Sequence, residues 1–306
     1  MAFNVDSALD RRRLKRRLTL WRVIGIAALV VAALAVADGL GPLDGMVGRS
    51  YVARLDIGGL ITEDPDRERA LAELARDPSV RALIVEIDSP GGTVVGGESL
   101  FVALRRVAAA KPVVAVMGEM ATSGGYMAAL GADHIFARQG TLTGSIGVIL
   151  QTVDVTSMLD KLGIKPESVK SDPLKAQPSP LEPFTDDARR AIQETIADTF
   201  QMFLEMVIER RQLTPERARV LADGRVYTGR QALQNGLIDG LGGEIEARAW
   251  LAATHGIDEG LPLREIKVRR EGGMLRDLFE GTLGKTLFSE RLRLDGLISV
   301  WHPGRW

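Results

Sequence analysis

A serine on a glycine-bearing turn and a lysine in an apolar, proline-stiffened one could together attack an acyl carbon. Ser123 stands in Ala121-Thr122-Ser123-Gly124-Gly125-Tyr126, just after the β-type run Val113–Met117. A serine where a strand gives way to a helix presents its hydroxyl outward, and the first N–H groups of that helix can hold a developing oxyanion. Two more glycine turns follow β-type runs or lie beside them, Asp88-Ser89-Pro90-Gly91-Gly92 and Thr143-Gly144-Ser145-Ile146-Gly147. In a parallel sheet the carboxyl ends of the strands share one edge, so turns that leave neighbouring strands converge on one crevice. Gly91 and Gly92 could aim further N–H groups at the same oxygen. Each turn alone is ordinary loop chemistry. Ser123 also lacks the glycine two positions earlier that a G-x-S-x-G elbow requires, because Ala121 stands there.

Such a serine needs a base. Only His134, His255 and His302 are present; His134 borders an apolar strand and reads as a packed side chain, and His302 lies in the terminal tail. A lysine is the remaining common solution, provided burial or nearby positive charge brings an amine of ordinary pKa ~10.4 down by several units. Lys175 sits between Leu174 and Ala176 in Asp172-Pro173-Leu174-Lys175-Ala176-Gln177-Pro178-Ser179-Pro180, whereas Lys165 and Lys170 lie in more charged or solvated runs. Taken singly, a lysine of this kind is usually a solvated surface side chain.

The elements that must position these residues alternate between β-type and helical runs. Strands are predicted at Val52–Ile57, Ala82–Ile87, Val113–Met117, Ile135–Ala137 and Val148–Leu150, with helices at about Glu63–Arg76, Glu98–Ala109 and Ser123–Leu130. Strand, crossover and strand in repetition imply parallel pairing and an α/β layered core. A longer helix is predicted over Asp186 to Arg211, where Ile192, Ile196, Phe200, Phe203 and Val207 recur at spacings of three and four. Thr214-Pro215 has the cap-then-proline order of a helix start, and Gly240 to Gly243 mark a turn.

Arg11, Arg12, Arg13, Lys15, Arg16, Arg17 and Arg22 precede an uncharged, mostly apolar run from Val23 to Ala37, and Asp38 follows. Positive flank, apolar span and polar exit describe a signal anchor whose basic side stays in the cytoplasm. The uncharged run alone reaches about 22 Å, short of a ~30 Å hydrocarbon core, and Leu18 to Trp21 supply the remainder if Arg22 snorkels. Ala35-Val36-Ala37 also has the small-x-small form of a cleavage site. The expected organisation is a basic cytoplasmic segment (1–22), a transmembrane signal anchor (23–37), a linker (38–50), an α/β domain that carries the glycine turns (51–250) and a C-terminal extension (251–306). A net charge of -1 gives no basic field for nucleic acid, and the absence of cysteine excludes disulfides, thiolate catalysis and Cys-ligated metals.

The motifs SPGG, ATSGGYMAA, TGSIGV and SDPLKAQPSP, in this order and spacing, closely resemble the bacterial signal peptide peptidase A family, over roughly Tyr51 to Trp250. The resemblance implies a ClpP/crotonase-like fold of repeated β-β-α units with a parallel sheet, preceded by one transmembrane helix. It implies a serine endopeptidase in which Ser123 is the nucleophile, Lys175 the general base and Ser145 the hydroxyl that orients the lysine. The N–H groups of Gly92 and Gly124 would form the oxyanion hole, with Gly91 a second candidate in the same turn. No cofactor or metal is implied. Expected partners are apolar peptides such as cleaved signal peptides, the membrane, and further copies of the chain in a ring, since this is the short, single-repeat form. In short-form relatives the serine and lysine of one site can come from adjacent subunits. The expected location is the inner membrane, single-pass, with the catalytic domain on the extracytoplasmic face. The alternatives are a crotonase-like acyl-CoA enzyme, to which exported CoA would be unavailable, and a catalytically silent scaffold at the membrane.

Overall fold

A computed structural model of the chain describes residues 21–30, 50–266, 268 and 298–300. Residues 21–30 form a helix, α1, with Trp21, Val23, Ile24 and Ile26 exposed. Of the expected anchor, residues 31–37 lie outside the described residues, as do Arg11 to Arg17. Among the described residues no helix is long and apolar enough to cross a membrane.

The described residues from Ser50 onward form a separate compact unit built on a mostly parallel sheet with nine strands among them. Its order in the chain is β1 (Tyr51–Ile61), α2 (Pro65–Arg76), β2 (Val80–Thr93), α3 (Val94–Ala108), β3 (Val113–Thr122), α4 (Gly124–Ala129), β4 (His134–Ala137) and β5 (Leu142–Gly144). There follow α5 (Thr156–Lys161), α6 (Asp186–Arg211), α7 (Pro215–Leu221), β6 (Val226–Thr228), α8 (Gly229–Gln234), β7 (Gly240–Leu241), α9 (Glu244–His255), β8 (Leu263–Glu265) and β9 (Ile298–Val300). The sheet runs β6-β5-β3-β2-β1-β8, with β4 between the first half of β3 and β7. The β8 strand pairs with β1 and α9 ends at His255, so the sheet unit continues beyond position 250.

The nearly unbroken apolar run of β2 is that of a strand covered on both faces. Leu83, Val85 and Ile87 join one core with Leu100 and Leu104 of α3, Tyr126 and Met127 of α4 and Phe203 and Val207 of α6. Ala82 and Ile84 point the other way, into a core with Phe136, Ala247 and Leu251. The predicted α6 stripe is thus buried at Phe203 and Val207, while Ile192, Ile196 and Phe200 stay partly exposed. Capping explains several helix starts. Asp64 accepts from the Asp66 and Arg67 amides ahead of α2, Thr185 from Ala188 ahead of α6, and Thr214 from Arg217 ahead of α7.

Three expectations are corrected. Ser89-Pro90-Gly91-Gly92 is not a turn after β2 but its last part, still extended to Thr93, with register breaks at Ile87/Ser89 against β3 and at Gly58/Leu60 against β1. The α3 helix begins at Val94 rather than Glu98, because Thr93 caps it by accepting from Gly96 N, and a Cβ on Gly96 would meet Thr62 Cα at 2.6 Å. No strand forms at Val148–Leu150; the strand of this region is β5, six residues earlier and antiparallel to β6. Gly144 at φ 82° and Ser145 at φ 49° are consecutive left-handed residues, which end the ladder.

Candidate active site

Ser123 is the residue between β3 and α4, at φ 56° and ψ -117°. This is a strained position for a residue with a Cβ, costing on the order of 1–3 kcal/mol. The fold enforces it: the Ser123 amide donates to Gly144 O at 2.8 Å, and Ser123 O accepts from Met127 N at 2.9 Å. The Ser123 side chain does not cap α4, which is buried along its whole length. Ser123 itself is only 1% exposed.

The SPGG segment lies against this turn. A Cβ on Gly124 would sit 3.1 Å from Gly92 N and 3.4 Å from Gly91 Cα, so the two backbones approach at a distance that leaves little room for a side chain. At Gly92 a Cβ would fall 1.7 Å from Ile61 O, which makes glycine obligatory there. The Gly91 amide, at φ 110°, donates to Ser89 Oγ at 3.0 Å, so Gly92 is the better oxyanion candidate of the pair. Beyond Ser89, β2 no longer has β3 beside it. Gly91 and Gly92 pair with β1 on one edge, so β9, antiparallel to Gly91, Gly92 and Thr93, must occupy the opposite edge, the one β3 has left.

The third turn joins them through Gly144. Ser145 is 9% exposed, and its amide donates to Arg225 O at 2.8 Å. Arg225 is itself paired with Asp223, which raises its pKa. Ser123, Gly124, Gly91, Gly92 and the turn of Ser145 are therefore brought together by backbone contacts.

No hydrogen bond or ion pair among the described residues ties Lys175 to this cluster. The lysine lies exposed in a turn where its amide donates to Asp172 O at 3.0 Å, and its Nζ has no hydrogen-bond or ion-pair partner among the described residues. Lys170, by contrast, is bound to Glu182, which also takes bonds from Ser168 and Gln177. The segment that carries both lysines exposes Val153, Met158, Leu162, Ile164 and Val169. His134 is packed, as expected: it stacks on Trp250 with ring centroids 4.6 Å apart, and burial lowers its pKa.

Behind the site, Tyr126 of α4 is fully buried and donates to Leu237 O at 2.8 Å; burial raises its pKa. Arg211 at the end of α6 holds Asp239 with two bonds, of 2.7 and 3.0 Å. Burial works to raise the Asp239 carboxyl, but Arg211 and the Ile135 amide outweigh it and leave it below the usual carboxylate range. Tyr126 and the buried hydroxyls of Ser89, Thr122 and Thr143 lie inside the motifs quoted above, yet neither they nor Arg211, Asp239 and Thr141 carry a role that their sequence context reveals.

The family model for peptidase family S49 matches residues 105–258, which include Ser123, Ser145 and Lys175. A Synechocystis protein named as a protease is 38% identical over 69% of this chain and 76% of its own. The chloroplastic serine protease SPPA of Arabidopsis thaliana is 30% identical over 71% of this chain, which spans only 32% of that relative. Among solved structures, a ClpP1 chain from Listeria monocytogenes is similar with a TM-score of 0.41 and 13% identity, over 63% of this chain and 92% of that one.

Proposed function

The chain belongs to peptidase family S49 and is a serine-type peptidase, and on that premise we propose that Ser123 is its nucleophile and Lys175, supplied by a neighbouring copy, its general base. The observation that carries the reading is the convergence of the end of β2 and the Gly144 turn on Ser123: its amide bound to Gly144 O, its helix start at Gly124, and Gly92 N packed against Gly124. Neutral Lys175 removes the Ser123 proton, and the oxygen attacks the scissile carbonyl. The N–H groups of Gly92 and Gly124 hold the oxyanion. The ammonium then protonates the leaving amine, and water hydrolyses the acyl-enzyme. Ser145 accepts a bond from the lysine and orients it.

A lysine base must be desolvated, and Lys175 of a single chain is exposed. Its segment also exposes a set of apolar side chains, a surface that suits burial against a second copy. Both features support a homo-oligomer in which each lysine completes a neighbour's site. The substrate is an extended, apolar peptide such as a released signal peptide. In support, the edge of Gly91 to Thr93 pairs with a strand of the chain itself, β9, and so suits an extended backbone. The basic flank and apolar run before residue 38 support a catalytic domain on the extracytoplasmic face of the inner membrane. Incubation of the full chain with a synthetic signal peptide, and mass-spectrometric mapping of the products, tests the reading. Cuts inside the apolar stretch are expected; an intact peptide, or cuts only in its polar ends, would contradict the substrate class.

A further inference from the structure

The three site-bearing segments meet where the sheet is irregular. Parallel register breaks between Ile87 and Ser89 on the β3 side of β2, and between Gly58 and Leu60 on the β1 side. Backbone ladder bonds that would fix the strands to one another are interrupted at these breaks. Buried hydroxyls of Ser89 and Thr122 bridge these two breaks, and that of Thr143 continues the series across the unbroken β3–β5 ladder. Ser89 Oγ donates to Gly59 O of β1 at 2.6 Å and accepts from Gly91 N at 3.0 Å. Thr122 Oγ1 of β3 donates to Pro90 O of β2 at 3.1 Å. Thr143 Oγ1 of β5 donates to Ala121 O of β3 at 2.7 Å. All three residues are 0% exposed. The series therefore crosses from β5 to β3, from β3 to β2 and from β2 to β1, one bond per strand pair, immediately beside Ser123 and Gly92.

We propose that Thr122 is a positioning residue for the peptidase reaction: its hydroxyl ties the nucleophile turn to the SPGG segment and fixes the placement of the Gly92 amide relative to Ser123. Ser89 and Thr143 extend the same tie to the outer strands. Thr122 immediately precedes Ser123, and Pro90 lies two residues before Gly92, so this one bond spans the gap between nucleophile and oxyanion donor. The effect is specific to the transition state. The oxyanion exists only after attack, so a displaced donor weakens the tetrahedral adduct and leaves ground-state peptide binding unaltered. The inference rests on the reading of Ser123 and Gly92 given above.

Thr141 supplies the control. Its buried hydroxyl donates to Gly118 O at 2.7 Å and accepts from Arg138 N at 3.0 Å, so it makes a comparable bond to β3 but at a point away from the three turns. The test compares Thr122→Val, Thr122→Ser and Thr141→Val in the full chain. It measures kcat and KM on a peptide ester, thermal unfolding, and the affinity for a peptide aldehyde against the corresponding alcohol. Thr122→Val should lower kcat by roughly ten- to a hundredfold, the scale set by misplacing or removing one oxyanion donor. KM should stay within about twofold, the signature of an interaction made only in the transition state. The aldehyde should weaken by the same factor as kcat and the alcohol not at all. Thr122→Ser should restore activity, and Thr141→Val should unfold at a lower temperature with kcat unchanged.

Parental kcat and aldehyde affinity in Thr122→Val would overturn the proposal. So would a Thr141→Val variant that loses as much kcat, since that marks general loosening of the sheet. If Thr122→Val does not fold, Ser89→Ala, which frees the SPGG segment from Gly59 O of β1 and so loosens the same placement of the Gly92 amide, carries the same expectation. A parent chain that neither turns over nor prefers the aldehyde to the alcohol would sink the Ser123 reading itself, and the tie with it.

Discussion

Replacing Gly124 by alanine separates the chemistry of the site from the stability of the fold. The new Cβ would stand 3.1 Å from Gly92 N, 3.4 Å from Gly91 Cα and 3.5 Å from Gly91 C. Contacts this close require the neighbour to yield by a few tenths of an ångström, and here the neighbour is backbone in the SPGG segment. The strain costs on the order of 1 kcal/mol, at the low end for overpacking. Against it, alanine narrows the unfolded ensemble relative to glycine where the backbone tolerates a Cβ, a gain of about 0.4–1 kcal/mol. The two nearly cancel, so Gly124→Ala should unfold within a few degrees of the parent. Activity should not cancel, because the atom displaced is the proposed oxyanion donor. A 1 Å misplacement costs about a hundredfold, and a shift of a few tenths about tenfold. The assay is kcat on a peptide ester beside a thermal melt, with Gly58→Ala as control, since a Cβ there meets nothing within 4 Å. Gly124→Ala with parental kcat and a parental melt would refute the placement of the Gly92 amide as oxyanion donor.

Asp239→Asn should destabilise the fold by about 2 kcal/mol, less than the 3–5 of a fully buried pair because the Asp239 side chain is 27% exposed. The folded carboxyl lies below its unfolded value, so its contribution is complete above the unfolded pKa of ~3.9 and fades as pH falls through the folded one. The melting gap between parent and Asp239→Asn should be full above about pH 5 and shrink as acid is added; a gap that does not shrink in acid contradicts the pairing. Coexpressed Ser123→Ala and Lys175→Met chains should recover roughly a quarter of parental activity if the dyad crosses copies in a random assembly, and none if it forms within one chain. Alkaline phosphatase fused near residue 60 should be active in cells; activity of a cytoplasmic reporter there instead would reverse the topology.

Much of the fold is legible in local sequence. The cap-then-proline order of Thr214-Pro215 and the apolar spacing of Phe203 and Val207 identify α7 and α6 because each signal is confined to one turn of helix. The two-sided burial of β2 is readable from its unbroken apolar run. The end of β2 is not readable, since Pro90, Gly91 and Gly92 are turn residues by composition, and what keeps the segment extended is the pairing of Gly91 and Gly92 with β1 on one edge and β9 on the other. The same reasoning fails at Gly96 and Gly97, helical here despite their type because α3 passes close to Thr62 and to Gly124. At the site, motif spacing identifies Ser123 and its glycines, whereas the buried hydroxyls acquire meaning only from the register breaks they bridge. Lys175 taken singly reads as a solvated surface lysine and is exposed in a single copy, whereas its covering in an assembly depends on surfaces that no local pattern encodes.

The central claim is that Ser123 is a nucleophile activated by Lys175. Labelling the full chain with a fluorophosphonate, and mapping the adduct by mass spectrometry, tests it most directly. A single adduct on Ser123 is expected, absent from Ser123→Ala, strongly reduced in Lys175→Met and retained in Lys170→Ala, whose lysine is held by Glu182. An adduct on another serine, undiminished labelling of Lys175→Met, or its loss in Lys170→Ala would contradict the assignment.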